Sequence, residues 1–414
     1  MERTLFHIDV NNAFLSWEAV KRLKENPDAL DLRTVPSVIA GSSQSRRGIV
    51  LAKSTPAKKF GIVTGEPVFS AQQKCPHLIC VSPDFELYHR YSQQLFSLLS
   101  NYSDRIEVFS IDECFLEYTG MEEIFGAPLD AAQRIRNHIK TELKFTVNIG
   151  ISTNKLLAKM AGELEKPDKI HTMYPHEIKD KLWPQPVEQL FMVGRRTAQR
   201  LKRMNIQTIG DLAHTSSALL EKEFKSFGAL LYAYANGIES SMVSPADAIN
   251  TPKSIGNSTT LPKDVTDAQG AFGVLLALSD TVASRLRKHG LCAEEITITI
   301  KSSDFQVYSH QCRISDVVNC TNAIYKYACK LFLQAWKGEP IRLLGVRAGR
   351  LCPEEGVQLS LFAQDWSKEK KADKAMDAIR LKYGKQAVCR SSLLLPNLKN
   401  CSGGHLQINP NSFR

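Results

Sequence analysis

Residues 108–119 read VFSIDECFLEYT, an apolar, aromatic, β-branched run of strand character interrupted by two adjacent carboxylates, Asp112 and Glu113. Successive side chains of a strand point to opposite faces, so a regular strand would aim one of the two into a core. A buried ionised carboxylate needs a partner or a metal. The run works best as a hairpin, IEVFSI and CFLEYT, folded over Asp112 and Glu113. At a tight turn the alternation is suspended and both carboxylates reach one side. A third, Asp9, ends the first strand in TLFHIDV. Where these strands are neighbours, three oxygen donors converge at one sheet edge. Hard oxygen ligands without His or Cys suit Mg²⁺, and a pair of such ions suits phosphoryl transfer. The plainer alternative is a solvated turn, with Asp9 capping the helix entered at Asn12.

Around this hairpin the 414-residue chain is long enough for two to four domains. Helical spacing in NAFLSWEAVKRLKE follows the first strand, and residues 33–80 form a small, basic, loop-heavy insertion. A helix face of Tyr88, Tyr91, Leu95, Leu98 and Leu99 precedes the hairpin; a helix over 129–142, the strand FTVNIGIS and a helix from Asn154 follow it. That order predicts an α+β core of a sheet with helices against it. LWPQPVEQL (182–190) marks a boundary, and residues 187–236 carry short helices only. From about 251 the pattern is strand, helix, strand, strand, helix, strand, the ferredoxin-like order.

Net charge is +10, which suits a polyanionic partner. Within 251–352, 13 basic residues stand against 8 acidic ones, so the last folded unit shares this bias. The ten cysteines include no C-x-x-C pair, and Cys75, His77 and Cys80 lack a second cluster, which argues against zinc and for reduced thiols. MERTLFHIDV has no signal-peptide layout, and no run approaches 18 apolar residues, so the expectation is a cytoplasmic protein without a membrane span.

HIDVNNAFLSWE, SRRGIVLAKSTPAKKFG, CPHL, SIDECFLE and GISTNKLLAKMAGELEKP, in this order, resemble the motifs of Y-family DNA polymerases, most of all the bacterial polymerase IV-type branch. The resemblance runs over about residues 3–362. It implies a right-hand polymerase: a ferredoxin-like palm (1–27 and 81–173), small fingers (28–80), a helical thumb with a helix-hairpin-helix (174–243), a ferredoxin-like little finger (251–352) and a C-terminal tail (353–414). It implies low-fidelity, template-directed synthesis across damaged templates by a nucleoid-associated monomer, with primer–template DNA and dNTP as substrates.

Asp9, Asp112 and Glu113 then resemble the catalytic ligands of two Mg²⁺ ions, joined by the backbone carbonyl of Val10. Phe14 stands where the family places its steric gate against ribose, and simple core packing is its alternative. Asn11 replaces a second Asp common in the family's first motif. Thr55 and Lys58 stand where a Tyr and an Arg usually contact the triphosphate; lysine keeps the charge and loses the guanidinium fork. Lys159 matches a triphosphate-contacting lysine.

FMVGRRTAQRLKRMNIQTIGDLA (191–213) resembles the helix-hairpin-helix, with Gly194 and Arg195 at a phosphate-facing helix start, although M-V-G replaces the usual G-I-G. Lys253, Arg313, Arg342 and Arg347 are candidates for DNA contact in the little finger. Arg347 and Arg350, three apart, should not share a face of a regular strand. QLSLF, comprising Gln358, Leu359, Ser360, Leu361 and Phe362, matches the peptide by which bacterial replication proteins bind the sliding clamp. After it, Ala372, Ala375, Met376, Ile379 and Tyr383 mark the apolar face of an amphipathic helix ending at Gly384. Three other readings stay open: a cyclase or other palm-fold phosphotransferase, a catalytically inactive DNA- and clamp-binding scaffold, and a partner-dependent polymerase V-like subunit.

Overall fold

The structure, a computed structural model, describes residues 3–42, 48–245, 252–355, 364–384 and 387–393. Two compact units emerge, one holding nearly all described residues up to 245 and the other those from 252. The peptide Gln358–Phe362 lies outside the described residues.

The first unit is built on a five-stranded sheet. Strand β1 (Leu5–Val10) leads into helix α1 (Ala13–Glu25), as the helical spacing predicts. The chain then builds a three-stranded sheet, β2 (Ser37–Ala40), β3 (Val50–Lys53) and β4 (Ile79–Val81), with helices α2 (Thr55–Lys59) and α3 (Val68–Lys74). This insertion buries a small core of its own, including Val38, Val50, Ile62 and Leu78. Helix α4 (Phe85–Leu99) starts at Asp84, whose side chain caps Leu87 N–H, and buries the face of Tyr88, Tyr91, Leu95, Leu98 and Leu99.

Strands β5 (Ile106–Val108) and β6 (Glu113–Glu117) form the expected antiparallel hairpin. The turn is longer than a folding point at Asp112–Glu113: Phe109 and Ser110 N–H both donate to the Glu113 carbonyl, so Asp112 is in the loop and Glu113 opens the strand. Helices α5 (Glu122–Phe125) and α6 (Pro128–Glu142), strand β7 (Val147–Ser152), helix α7 (Lys155–Glu163) and strand β8 (Ile170–Thr172) complete the layer, with sheet order β5-β6-β1-β7-β8. Phe6, Ile8 and Val10 face a core with α1, α4 and α6 residues such as Trp17, Tyr88 and Ile135. Helix α7 covers the other face at unusually close range. A Cβ on Gly150 of β7 would stand 1.9 Å from the Ala158 carbonyl oxygen, so only glycine fits there.

Short helices follow: α8 (Ile178–Lys181), α9 (Arg195–Arg203), α10 (Ile209–His214), α11 (Ser217–Phe224) and α12 (Ser226–Ala235). They bury Leu182, Leu201, Ile209, Leu212 and Leu231 together with Leu157 and Met160 of α7.

The second unit runs β9 (Ser254–Val265), α13 (Ala268–Lys288), β10 (Leu291–Ser302), β11 (Val307–Val318), α14 (Thr321–Ala335) and β12 (Ile341–Pro353), the predicted β-α-β-β-α-β order. Its strand order is β11-β10-β12-β9. Both sheets split their β-α-β connections, yet the motif's first and third strands are central in the first sheet and its second and fourth in this one.

The segment read as a tail is part of this unit. Helix α15 (Ser367–Tyr383) does not dock by the expected apolar face: Ile379 is 41% and Tyr383 66% exposed, whereas Asp373 is 1% exposed. Asp373 accepts from Arg287 (3.0 Å), from Arg390 (2.5 Å) and from Thr321 N–H (2.7 Å) at the start of α14, and Asp377 accepts from Arg287 (2.7 Å). Arg380 and Arg390 both reach Asp280 of α13. Burial is purchased with ion pairs rather than methylenes, which leaves no apolar period to read. Gly384 does end the helix with φ +91°.

Candidate active site

In β1 the odd positions Leu5, His7 and Asp9 share the face toward α7. Asp9 lies directly opposite Glu113 in the β1–β6 register, and Val10 N–H donates to the Asp112 carbonyl at 3.0 Å. The three carboxylates named by the sequence therefore gather at one end of the sheet.

Each is held differently. Asp112 accepts from Ser110 Oγ at 2.6 Å, and its carboxyl is pushed up to about 6, first by burial and then by the Asp9 and Glu113 charges, against the lowering effect of Ser110. Burial alone would also raise Glu113, but the His7 hydrogen bond and the Lys159 ammonium outweigh it and hold the carboxyl at about 2. Asp9 Oδ2 meets Lys166 Nζ at 2.5 Å, so Asp9 does not cap α1; Asn12 stands at that cap in left-handed conformation, φ +50°. Among the described residues no three carboxylate, imidazole or thiol groups are drawn together as a ready metal cage. Two lysines now neutralise two of the acids.

The donor set nevertheless fits Mg²⁺. It is oxygen-only, and Asp112, raised first by burial, also feels the Asp9 and Glu113 charges, so three acidic groups lie close enough to interact.

Lys159 bonds Glu113 and lies over the Phe109 and Phe191 rings, 5.1 and 5.5 Å from their centroids. Lys166 was legible in the motif NKLLAKMAGELEKP but not singled out; its loop is tied to β1 and β7 by an amide chain. Asn11 Nδ2 donates to Asn148 Oδ1 (3.0 Å), Asn148 Nδ2 donates to the Gly162 and Glu165 carbonyls, and Asn11 Oδ1 accepts from Asp168 N–H. His7 was also passed over, although alternation places it beside Asp9.

Phe14, on the first turn of α1, stacks on Tyr88 with ring centroids 4.6 Å apart and planes 10° apart, and is only partly buried. Thr55 and Lys58 are exposed on α2, whose start is capped by Ser54 accepting from Ala57 N–H. Lys53 lies near Lys58, and its ammonium is lowered by burial and by that neighbour. Gly194 caps α9 and Arg195 opens it; both are exposed. Gly194 has φ −80° and open space where a Cβ would be, so neither backbone nor packing demands glycine there. Met192, where the family's first glycine would stand, adopts the left-handed φ of +72°.

In the second unit Arg313, Arg342 and Arg347 lie on the sheet face opposite α13 and α14, and Lys253 precedes β9 and is exposed. Arg342 lies over the Phe305 ring, and Arg347 donates to Thr297 Oγ1 at 3.1 Å. Gly256, opposite Arg347, makes room for that arginine's stem, since a Cβ there would stand 3.0 Å from Arg347 Cβ. Contrary to strict alternation, Arg347 and Arg350 both approach Glu295, each at 3.7 Å. Arg350 has φ +49°, and this departure from extended backbone turns it to the same side.

The family model described as the impB/mucB/samB family matches residues 8–163, its C-terminal domain matches 252–361, and a thumb domain described for DNA polymerase-iota matches 188–239. A Clostridium acetobutylicum protein named DNA polymerase IV is 47% identical over 400 residues, 95% of this chain and 99% of that protein. The chain belongs to the Y family of DNA polymerases. Relatives of the same printed name include one from Acetivibrio thermocellus, 36% identical over 95% of this chain and 98% of that one. Bacillus subtilis DNA polymerase IV 2 is 34% identical over 95% of each chain. A solved Y-family DNA polymerase chimera matches with TM-score 0.72 and 25% identity, covering 84% of this chain and 99% of that one. As a Y-family chain, the protein is a DNA-directed DNA polymerase of right-hand fold. Among the described residues no helix is long and apolar enough to cross a membrane.

Proposed function

We propose that this polymerase performs low-fidelity DNA synthesis across damaged templates, with Asp9, Asp112 and Glu113 as its catalytic carboxylates. The observation that supports this most is the register of Asp9 against Glu113 with Asp112 in the adjoining loop, since three acids are assembled where two lysines can exchange them for phosphate. Two Mg²⁺ ions held by Asp9, Asp112, Glu113 and the Val10 carbonyl would activate the primer 3′-OH and neutralise charge on the triphosphate and departing pyrophosphate.

The chain's own groups do the rest. Lys159 and Lys166 leave their carboxylates and bind triphosphate oxygens, with Thr55 and Lys58 completing the grip from the fingers. Phe14, braced by Tyr88, fills the space a ribose 2′-hydroxyl would need. Gly194 leaves the first N–H groups of α9 open to a DNA phosphate, with Arg195 beside them. Lys253, Arg313, Arg342 and Arg347 bind backbone phosphates without reading sequence, so affinity falls with salt. QLSLF tethers the enzyme to the sliding clamp, raising its concentration at primer ends.

Extension of a labelled primer–template with Mg²⁺ and single dNTPs, beside a folded Asp112→Ala control, tests this reading. Distributive, error-tolerant extension that vanishes in the control supports it. A folded protein that binds DNA without extending it would turn the reading toward a scaffold or a partner-dependent subunit. Deleting 358–362 should abolish clamp stimulation and spare basal extension.

A further inference from the structure

His7 lies in the centre of β1 with its side chain fully buried, enclosed by the Phe115 ring at 4.9 Å and by α7, where a Cβ on Gly162 would stand 3.3 Å from Nδ1. Its Nε2 lies 2.9 Å from Glu113 Oε2. A carboxylate only accepts, so Nε2 carries the hydrogen. A neutral ring carries one N–H, so with the hydrogen on Nε2 the other nitrogen, Nδ1, is an acceptor.

Among the described residues that acceptor has no hydrogen-bond partner. An unpartnered buried polar atom is costly, and a strand whose neighbours are Phe6 and Ile8 could fill the same volume with an aliphatic side chain. What an aliphatic group lacks is the Nε2–H toward Glu113. The histidine is diagonal to Glu113 across the strands, since His7 pairs with Phe115 and Asp9 with Glu113. Both bonds to Glu113, from His7 and from Lys159, fall on Oε2, and among the described residues Oε1 accepts none.

We propose that His7 is a positioning residue: it pins Oε2 of Glu113 so that Oε1 is the oxygen presented to a divalent cation. The proposal rests on the reading of Glu113 as a metal ligand. It gives the two groups on Oε2 different lives. Lys159 leaves for the triphosphate when nucleotide binds, and His7 is then the tether that keeps Glu113 in place.

Two polar replacements separate this role from mere packing. Gln at position 7 reaches the place of Nε2 with an N–H; Asn reaches only the place of Nδ1. Mn²⁺ binding is read by electron paramagnetic resonance on the complex with a dideoxy-terminated primer–template and the next dNTP, after melts in EDTA establish folding. His7→Asn should weaken Mn²⁺ binding about tenfold or more, and His7→Gln should stay within about twofold of the parent. Equal affinities in His7→Asn and parent, or equal losses in both variants, overturn the proposal. In the parent, ¹⁵N NMR of labelled histidine should show the Nε2–H tautomer for His7, and an Nδ1–H tautomer overturns it without any variant. If the parent binds no Mn²⁺ and Asp112→Ala changes nothing, the ligand reading itself fails, which is a different result from a failure at His7.

Discussion

Lys166 closes on Asp9 with its ammonium 2.5 Å from Oδ2, while the same ammonium holds Glu163 at 2.8 Å. Burial would lower this lysine, but Asp9 and then Glu163 outweigh it and raise its affinity for the proton. Lys166 is therefore a charged stand-in at the first carboxylate. Lys166→Ala should lower kcat/KM for dNTP at least tenfold while DNA affinity stays within about twofold, because on the proposed reading the lost charge serves the triphosphate. Single-nucleotide kinetics and a DNA-binding titration check this; a loss confined to DNA binding removes Lys166 from the nucleotide site.

Asp112 sets a pH signature for the metal-free protein. Its carboxyl rises from the ordinary 3.8 to about 6 on folding, so the contribution is fully present below about pH 4 and is lost as pH rises through about 6. The loss approaches roughly 3 kcal/mol. Glu113, held at about 2, acts in the opposite sense and in another window: its stability is present above 4.5 and lost toward pH 2. His7, lowered by burial, loses stability as pH falls below 6.5 and so opposes Asp112 within the same range. The difference between parent and Asp112→Asn isolates the Asp112 part. In EDTA that difference should grow in favour of the Asn variant from pH 4.5 to 7, and Mg²⁺ should diminish it above pH 6. Chemical denaturation at both pH values checks the sign.

Met192 holds a left-handed backbone at φ +72° with its side chain 55% exposed, so little packing offsets the strain. A non-glycine residue in that region costs about 1–2 kcal/mol, against roughly 0.5–1 kcal/mol of extra unfolded-chain entropy for glycine. Met192→Gly should therefore stabilise the protein by about 0.5–1 kcal/mol. An unchanged or lower midpoint in urea would show that the methionine contacts matter more than its backbone.

Arg287, 4% exposed, bonds both Asp373 and Asp377 and also donates to the Asn319 carbonyl at 2.8 Å. Its removal leaves Asp373 buried beside the start of α14. Arg287→Ala should cost up to about 3 kcal/mol, less than a fully orphaned buried charge, because Arg390 and the Thr321 N–H still hold Asp373. Truncation before residue 364 should also lower the melting temperature, since it takes Asp373 from the Thr321 N–H. A tail without structural role would leave the melt unchanged.

These residues also mark how far the sequence could be read. The acidic hairpin was legible because adjacent carboxylates in an apolar run admit few placements, and the α4 face because its period is apolar. Docking of α15 was not, because Asp373, Asp377 and Arg380 bury charge, and charge on a helix ordinarily signals solvent. The shared side of Arg347 and Arg350 depends on one left-handed residue that no periodicity announces. The two strand orders were equally hidden, since one element string fits both. His7 is the opposite case: alternation from Asp9 already placed it on the acidic face, and only its chemistry was overlooked.

Phe14 is the residue for which core packing and sugar selection compete most directly. Its ring stacks flat on Tyr88 and meets Phe85 edge-on, contacts any core aromatic would make. Yet it stays partly exposed, five residues after Asp9, while its neighbours Leu15 and Trp17 are fully buried. A ring fixed by stacking cannot yield to a ribose hydroxyl, and rigidity is what discrimination by volume requires. Phe14→Ala should therefore raise the kcat/KM for ribonucleotides relative to deoxynucleotides by about 100-fold or more, equivalent to roughly 3 kcal/mol. The truncation should also cost about 1–3 kcal/mol of stability, less than a fully buried Phe, because one side of the ring already meets solvent. Phe14→Leu should retain most of the stability and part of the selectivity. Single-nucleotide incorporation with matched rNTP and dNTP, beside denaturant melts of the three proteins, separates the roles. Stability lost with sugar selectivity intact would leave Phe14 as packing and nothing more.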